Sequence, residues 1–174
     1  MKKINCLFLF LLLVFGISCS EDESDNTYYG LSIGTTVLIS IVDDQGTDLL
    51  DPNTPNYFNC SNAKISHLLN GEIIEYNEGH LDFGEGYRIY NSEVRASFDT
   101  YMFCVLATCA YRSDSENTNP ITYIKWNDTD TDTLQCEYHI EEYSITCTKV
   151  WFNGNEVWVS PGTNDEGRQF QIVK

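Results

Sequence analysis

The sequence predicts an all-β fold, a single antiparallel β-sandwich, and three observations carry this prediction. Aromatic and β-branched residues dominate the apolar set, with 11 tyrosines, 9 phenylalanines and 3 tryptophans in 174 residues, and such residues favour strands. Clusters of Gly, Asn and Asp divide the chain into short apolar segments, as turns do between the strands of a sandwich. No stretch holds an apolar stripe of helical period over three turns, so no helix is predicted.

Turn signals fix the first boundaries between the predicted strands. Asn70-Gly71 and Asn153-Gly154 suit the positive φ angles of a type I′ turn, so each predicts a tight hairpin. The polar cluster at residues 43–46 ends the first apolar run. Residues 51–56 hold two prolines, which restrain themselves and the residues before them, so this segment is predicted to be a loop.

The apolar segments between these turns predict the strands. Residues 100–111 are the most apolar of them and predict a central strand that is buried on both faces. Residues 81–90 contain Gly84 and Gly86, so the strand there is predicted to be broken or bulged. The number and spacing of the segments favour an immunoglobulin-like or transthyretin-like layout. In chain order, the predicted strands are residues 31–42, 63–69, 72–76, 81–90, 100–111, 121–126, 133–140, 143–152, 156–159 and 168–173.

The N-terminus predicts export and lipid attachment. Two lysines precede the apolar run 6–17, which is shorter than the roughly 20 residues of a membrane-spanning helix and matches the core of a signal peptide. Residues 15–19 resemble a lipobox, in which Gly16 stands where leucine is usual. We therefore expect cleavage before Cys19 and a lipid on its sulfur, whose acyl chains contribute about 0.8 kcal/mol per buried methylene. The alternative is an ordinary signal peptide that is cut elsewhere.

The segment behind Cys19 predicts where the protein is displayed. Residues 20–26 are polar and strongly acidic, which is typical of a solvated tether. This run also resembles the acidic export signal of Bacteroidetes surface lipoproteins, which implies the cell surface, on the outer face of the outer membrane, with the periplasmic face as the alternative. The predicted organisation is a signal peptide at 1–18, a lipidated acidic tether at 19–28 and one β-sandwich domain at 29–174.

The charge of the chain argues against two classes of partner. There are 26 acidic and 10 basic residues, and removal of the signal peptide takes away two lysines and no acidic residue. The mature chain therefore carries a net charge of about −18, which repels nucleic acid and anionic lipid surfaces.

Five cysteines remain once Cys6 and Cys19 are set aside, so at least one has no disulfide partner within the monomer. An exported domain meets oxidising conditions, which permit disulfides. Cys136 and Cys147 lie at equal distances from Glu141-Glu142, so a hairpin that turns there would place them opposite each other as a candidate disulfide. The alternative is a pair of small core thiols. No cysteine and histidine spacing typical of zinc occurs, and no cofactor is predicted.

Several stretches resemble a family of uncharacterised Bacteroidetes lipoproteins. Residues 46–52, Gly-Thr-Asp-Leu-Leu-Asp-Pro, match its GxDLL(N/D)P element, and later segments match its C-terminal end with an Asn-Gly hairpin. The resemblance covers most of the mature chain and implies a small β-sandwich lipoprotein, but it supplies no catalytic residues. The later segments are residues 123–126, 132–134, 149–154 and 172–174.

Asp128, Asp130 and Asp132 alternate along the chain, and alternating aspartates can bring several oxygens to one Ca²⁺ ion. Compared with an EF-hand loop, Thr133 replaces the turn glycine and His139 replaces the bidentate glutamate. A solvated turn is therefore the favoured interpretation, with the three aspartates as weak metal candidates. The tripeptide that begins at Asp132 also resembles the short O-glycosylation sequon of Bacteroidetes, which makes Thr133 a candidate modification site.

No catalytic signature is present. His67, His80 and His139 are scattered, and the sequence has no GxSxG, HExxH or phosphate-binding glycine motif. The three tryptophans could form a platform for sugar or protein binding, or they could fill the core, and we expect two of the three in the core. These are Trp126, Trp151 and Trp158.

The sequence thus predicts a non-catalytic binding module that is held on the membrane by its lipid anchor and takes a protein or glycan as partner. Two alternatives remain, a structural envelope component that assembles with other lipoproteins, and a small hydrolase without a recognisable motif. An exposed aromatic patch would favour binding, and an exposed apolar edge strand would favour assembly. A pocket in which histidines and carboxylates converge would favour the hydrolase.

Overall fold

The structure of the protein is a computed structural model that describes residues 32–91, 99–107, 119–141, 144–160 and 167–174. All regular secondary structure in these ranges is β-strand, and the strands form two sheets that pack together. The predicted all-β sandwich is therefore confirmed. The strands are β1 (Ser32–Gly34), β2 (Thr36–Val42), β3 (Lys64–Leu69), β4 (Glu72–Glu75), β5 (Tyr87–Tyr90), β6 (Met102–Leu106), β7 (Ile121–Lys125), β8 (Thr131–Glu141), β9 (Ser144–Phe152), β10 (Asn155–Val159) and β11 (Gln169–Val173).

The two sheets differ in size. The larger sheet has seven strands in the order β1-β9-β8-β7-β3-β4, with β10 also paired to β9, and the smaller sheet has four in the order β11-β2-β6-β5. Most neighbours are antiparallel, but β1 pairs with β9 and β11 pairs with β2 in parallel. The sandwich is thus rich in antiparallel pairs without being purely antiparallel.

The prediction of one long strand over residues 31–42 is wrong. β1 belongs to the larger sheet and β2 to the smaller one, so the chain crosses between sheets at the buried Thr35. Crowding at Gly34 helps to fix the crossing, since an added Cβ there would lie 2.9 Å from Nη1 of Arg168. Arg168 also donates from Nε to the carbonyl oxygen of Thr36 at 2.7 Å. Its side chain therefore secures the place where the two sheets share the chain.

The two predicted Asn-Gly turns are confirmed by their backbone angles. Asn70 and Gly71 have φ values of 52° and 85°, and Asn153 and Gly154 have values of 50° and 80°. Positive φ at both central positions is what a type I′ turn requires. The predicted break near Gly86 is also confirmed, because that glycine has a φ of 82° and β5 begins only after it.

Strand β6 lies at the centre of the packing, as its sequence predicted. Phe103 and Val105 are fully buried in the core between the sheets, where Phe103 stacks on Tyr87 with ring centroids 4.8 Å apart. On the opposite face of β6, Met102 and Cys104 are also buried, in a second small cluster with other apolar residues. Because both faces of β6 are buried, both alternating sets of its side chains are apolar, and the segment is a continuous apolar run.

The element at residues 46–52 has a structural role. Leu49 and Leu50 are buried in the core, and Asp48 holds them there. One Asp48 carboxylate oxygen accepts the N–H of Leu50 at 2.9 Å, and the other accepts the N–H of Tyr101 at 2.8 Å. Asp48 therefore ties the loop after β2 to the segment that begins β6.

We expect Asp48→Ala to lower the free energy of unfolding by about 2 kcal/mol, because two N–H donors that are wholly or partly buried lose their acceptor. Urea denaturation followed by circular dichroism measures the change. Asp51→Ala is the matched control, since the Asp51 side chain accepts bonds only from the exposed Asn53. Equal losses in the two variants would contradict the role assigned to Asp48.

Candidate functional site

The lipidation prediction lies outside the described residues. Cys19 falls in the range for which no structural statement is made, so its modification stays a prediction. Within the described part of the chain, no helix is long and apolar enough to cross a membrane.

The three alternating aspartates do not converge on a common point. Asp132 is 7% exposed and accepts hydrogen bonds from Nε1 of Trp126 at 2.6 Å and from Nδ2 of Asn153 at 2.8 Å. The Lys174 ammonium lies 2.8 Å from Asp132 and 2.7 Å from Asp130. Asp128 instead faces solvent. Two of the three carboxylates are therefore already neutralised by a lysine, and Asp132 is a structural residue rather than part of a solvated turn.

Lys174 is held beside Asp130 and Asp132 by contacts of its side chain and of its backbone. Its side chain is 17% exposed, and its ammonium lies over the rings of Trp126 and Phe58, 5.5 Å and 6.0 Å from their centroids. Its backbone N–H donates to the carbonyl of Val42 at 3.0 Å. No group of three or more His, Cys, Asp or Glu side chains that could hold a metal occurs among the described residues.

The surroundings of Asp132 and Lys174 stabilise the charged form of both side chains. Burial raises the pKa of the Asp132 carboxyl, but hydrogen bonds from Asn153, Lys174 and Trp126 outweigh burial, so the pKa lies below its ordinary value of 3.8. Burial likewise lowers the pKa of the Lys174 ammonium, and its bonds to Asp130 and Asp132 outweigh that effect, so the pKa lies above 10.5. Both groups are therefore charged, and the ion pair is most stable, at pH values between the lowered pKa of Asp132 and the raised pKa of Lys174.

Cys136 and Cys147 are both fully buried in the hairpin of β8 and β9, but they are not directly opposite each other. Cys136 pairs with Val150 and Cys147 pairs with Tyr138, and the outermost pair of the hairpin joins residue 141 to residue 144. The expectation of directly opposed cysteines is therefore wrong, because the strands pair in a different register. The disulfide itself stays a prediction.

The candidate glycosylation site lies on the outer face of the larger sheet. Thr133 is partly exposed, and its backbone is bonded on both sides to Asn153, from N–H to Oδ1 at 2.9 Å and from carbonyl to N–H at 2.8 Å. The tripeptide therefore lies within a paired strand, and its modification stays a prediction.

The histidines do not form a common site. His67 is buried, with Nδ1 3.0 Å from Oγ1 of Thr122, whereas His139 lies 3.1 Å from Glu141 on the exposed surface. His80 is also exposed. No two of these imidazoles share an element, since His67 is on β3, His139 is on β8 and His80 lies between strands.

The structure places one tryptophan in the core, one against the core and one on the outer face of the larger sheet. Trp126 is 3% exposed in the core, and Trp158 packs against the core while it remains partly exposed. Trp151 is partly exposed and its strand neighbour Phe152 is buried, so Trp151 occupies the outer face of the larger sheet. Lys149 covers the ring of Trp151 at 5.8 Å.

The structure also forms a groove that the sequence did not predict. It lies on the outer face of the smaller sheet, where the register places Ser40 of β2 beside Gln171 of β11 and near Met102 of β6. Its volume is about 370 Å³, within the range typical of small-molecule sites. Hydroxyl, amide and carboxylate groups supply most of its wall. The described lining residues are Ser40, Asp99, Thr100, Met102, Gln169, Phe170 and Gln171.

The groove and the start of β1 lie toward different ends of the sandwich. β1 starts opposite the first residue of β9, and the end of β9 lies beside the start of β8, where Asp132 meets Lys174. We call the first region the entry end and the second the far end. Gln171 stands three residues before Lys174 on the same strand segment, so the groove lies toward the far end.

No family model, curated protein or solved structure matches the chain.

We expect Asp132→Asn to lower the free energy of unfolding at pH 7 by about 1–2 kcal/mol, because the partly buried Lys174 ammonium keeps only Asp130 as a charged partner and the bonds from Trp126 and Asn153 lose a charged acceptor. The Asp132 contribution is fully present above the unfolded pKa of 3.8 and is lost as pH falls through the lower folded value. The difference between wild type and variant should therefore shrink below about pH 4. Urea denaturation across pH 2–8 measures it.

Asp128→Asn is the matched control for this series. Its carboxylate is exposed and pairs with Lys125 at 2.9 Å, so its substitution should have a much smaller effect at every pH. An Asp132→Asn variant as stable as wild type at pH 7 would refute the structural role of the ion pair.

Proposed function

We propose that this protein is a lipid-anchored lipoprotein of the outer membrane, displayed at the cell surface, that binds a small, neutral, hydroxyl-rich ligand such as a saccharide unit without converting it. The observation that carries the proposal is the groove between β11, β2 and β6, with its hydrogen-bonding wall.

The wall of the groove matches a ligand that both donates and accepts hydrogen bonds. The amides of Gln169 and Gln171 each offer two donors and one acceptor oxygen, and the hydroxyls of Ser40 and Thr100 do both. Asp99 adds a carboxylate that accepts only. Such a set satisfies the hydroxyls of a sugar ring, while Met102 offers an apolar surface to the ring carbons.

Charge selects against anionic ligands. No lysine or arginine is among the described lining residues, and the chain carries a net charge of −16. An anionic ligand would therefore meet repulsion without a compensating cation. A neutral ligand avoids this repulsion, and the single carboxylate of Asp99 can still bond to its hydroxyl groups.

The same lining argues against hydrolysis of a glycan. Glycoside hydrolysis ordinarily uses two carboxyl groups, about 5–9.5 Å apart, on either side of the scissile bond. Asp99 is the one carboxylate among the described lining residues, and no cysteine or histidine accompanies it. The groove therefore supports binding better than turnover.

The predicted tether agrees with display from an anchor. A lipid on Cys19 attaches ahead of β1, and the chain between Cys19 and β1 spans roughly 40 Å when extended. An anchored domain with such a tether can stand clear of the membrane surface, with the acidic residues 20–26 as a solvated spacer.

One observation favours the alternative of a structural envelope component. β4 is the end strand of the larger sheet, and all four of its residues are exposed, with Ile73 at 64% and Ile74 at 38%. An open apolar edge of this kind can accept another strand. Glu72 and Glu75 bracket the two isoleucines, so a partner segment would need to be basic or neutral.

Binding is tested with the mature chain carrying Cys19→Ala, which keeps it soluble, against a panel of neutral and uronic-acid oligosaccharides by NMR titration. We expect a neutral member to shift the amide signals of Gln169 and Gln171. We expect Gln171→Ala to weaken its affinity about tenfold, because a hydrogen bond to a buried ligand hydroxyl contributes roughly 1–1.5 kcal/mol.

Gln45→Ala is the matched control, since Gln45 is exposed in a loop outside the groove, and it should leave the affinity unchanged. Shifts confined to the outer face of the larger sheet around Trp151 would place the ligand elsewhere and contradict the proposed groove. Absence of binding across the whole panel would count against the ligand class.

Anchoring is tested in intact cells. Wild type should be accessible to added protease and should fractionate with the outer membrane, whereas Cys19→Ala should appear in the soluble fraction, because it lacks the acyl chains. Replacing Glu21, Asp22 and Glu23 by Ser should keep membrane association but remove protease accessibility. A Cys19→Ala variant that still fractionates with membranes would refute the anchor.

A further inference from the structure

A β-bulge interrupts the hairpin formed by β8 and β9. Glu137 pairs with Lys149, but the next residue of β8, Tyr138, pairs with Cys147. Thr148 therefore has no paired residue on β8 and is the extra residue of the bulge. Its hydroxyl donates toward the carbonyl and the side chain of Glu137, at 3.2 Å and 2.9 Å, which fixes the bulge in place.

The bulge decides which way Cys147 faces. In an uninterrupted strand, alternate residues share a face, so Thr148 and Val150 would face the core and Cys147 would face solvent. In this protein Val150 and Cys147 are both fully buried although they are three residues apart. The inserted residue therefore turns Cys147 onto the inner face of the sheet, the face that already carries Cys136.

Both cysteines lie in the core. Cys136 and Cys147 are both 0% exposed free thiols, and they lie on the inner face of two paired strands, close enough to influence each other's ionisation. The Cys147 thiol also lies 3.4 Å from the carbonyl oxygen of Lys149. Cys60 is buried as well, but its sulfur lies beside the carbonyl of Phe58 in the loop before β3, so it provides a matched buried cysteine at another site.

We propose that Cys136 and Cys147 are joined by a disulfide bond in the exported protein. Cys147 pairs with Tyr138, two residues after Cys136 on the same face of β8, so the two side chains are diagonal neighbours on the inner face. Cysteines that are diagonal in a regular ladder are usually too far apart for a relaxed bond. The bulge at Thr148 makes this ladder irregular, because it bends and twists β9 between the two paired positions.

Formation of the disulfide requires a two-electron oxidant. In the envelope this would be a thiol-disulfide oxidant, and in the experiment oxidised glutathione takes its place. The thiolate of one cysteine attacks the oxidant disulfide and releases one thiol, and the second cysteine then displaces the other thiol to form the Cys136–Cys147 bond. Hydrogen bonding to Cys147 and burial raise the pKa of the Cys136 thiol well above its ordinary value. Because the thiolate is the nucleophile, the bond must form before the hairpin is buried.

The position of the bond gives it a mechanical role that rests on the proposed anchoring. β1 pairs with residues 144–146 of β9, immediately before Cys147. Any pull transmitted from a lipid anchor through β1 therefore reaches β9 at this point. A disulfide at Cys147 would fasten β9 to β8 next to the strand that bears the load.

The test counts thiols in the native protein. Protein purified from the envelope is unfolded in urea with iodoacetamide, with and without prior reduction, and digested for mass spectrometry. We expect Cys136 and Cys147 to be alkylated only after reduction and to appear as one linked peptide pair before it. Cys60→Ser should leave this pair intact, and reduction should lower the Tm of the wild-type protein by roughly 5–10 °C.

Alkylation of both cysteines without reduction would overturn the proposal, as would a link from either of them to another cysteine. Refolding of the reduced chain in oxidised and reduced glutathione should regenerate the same pair, and failure to do so would also contradict it. None of these readouts involves a ligand or a membrane, so the outcome is independent of the proposed binding and anchoring.

Discussion

The partly buried ion pair between Lys174 and Asp132 is the constraint on which the far end of the sandwich depends. Asp132 lies on β8 of the larger sheet, whereas Lys174 follows β11 of the smaller one, so the pair joins the two sheets across the core edge. A buried charge that loses its partner is costly, and a buried carboxylate also needs its remaining lone pairs satisfied. Trp126 and Asn153 meet that need, so four segments of chain are tied at one carboxylate.

The geometry of the groove follows from this ion pair. β11 is an edge strand that pairs with the sheet only through β2, and the pairing is parallel, which is slightly less stable per residue than an antiparallel one. Lys174 anchors the end of β11 through its side chain and through its N–H to Val42. Gln169 and Gln171 stand on the same strand. The interaction that closes the far end therefore also holds one wall of the groove in position.

Local sequence patterns predicted the hairpins and most strands. They did not predict the features that depend on residues far apart in the chain. Asn70-Gly71 encodes its turn through the φ angles of two adjacent residues, so the sequence alone suffices. The sheet crossing at Thr35 was missed because the apolar pattern of the sequence continues across it. The bulge at Thr148 was missed because symmetry about a turn says nothing of register. The pairing of Asp132 with Lys174, and the groove, depend on topology that no local pattern contains.

The negative charge of the domain favours binding of a neutral ligand in the groove over self-assembly through β4. Antiparallel pairing of β4 with β4 of a second copy would bring Glu72 of one chain near Glu75 of the other, at the edge of two domains that each carry strong negative charge. Lys64 offsets the charge of Glu75 within each chain, so the repulsion that opposes this contact rests on Glu72 and on the net negative charge of the two domains, which acts over a Debye length of about 8 Å at physiological ionic strength. A neutral ligand in the groove meets no such barrier, and its hydrogen bonds replace those that water makes with the same groups. The charge that discourages self-assembly through β4 thus leaves the groove open to neutral ligands.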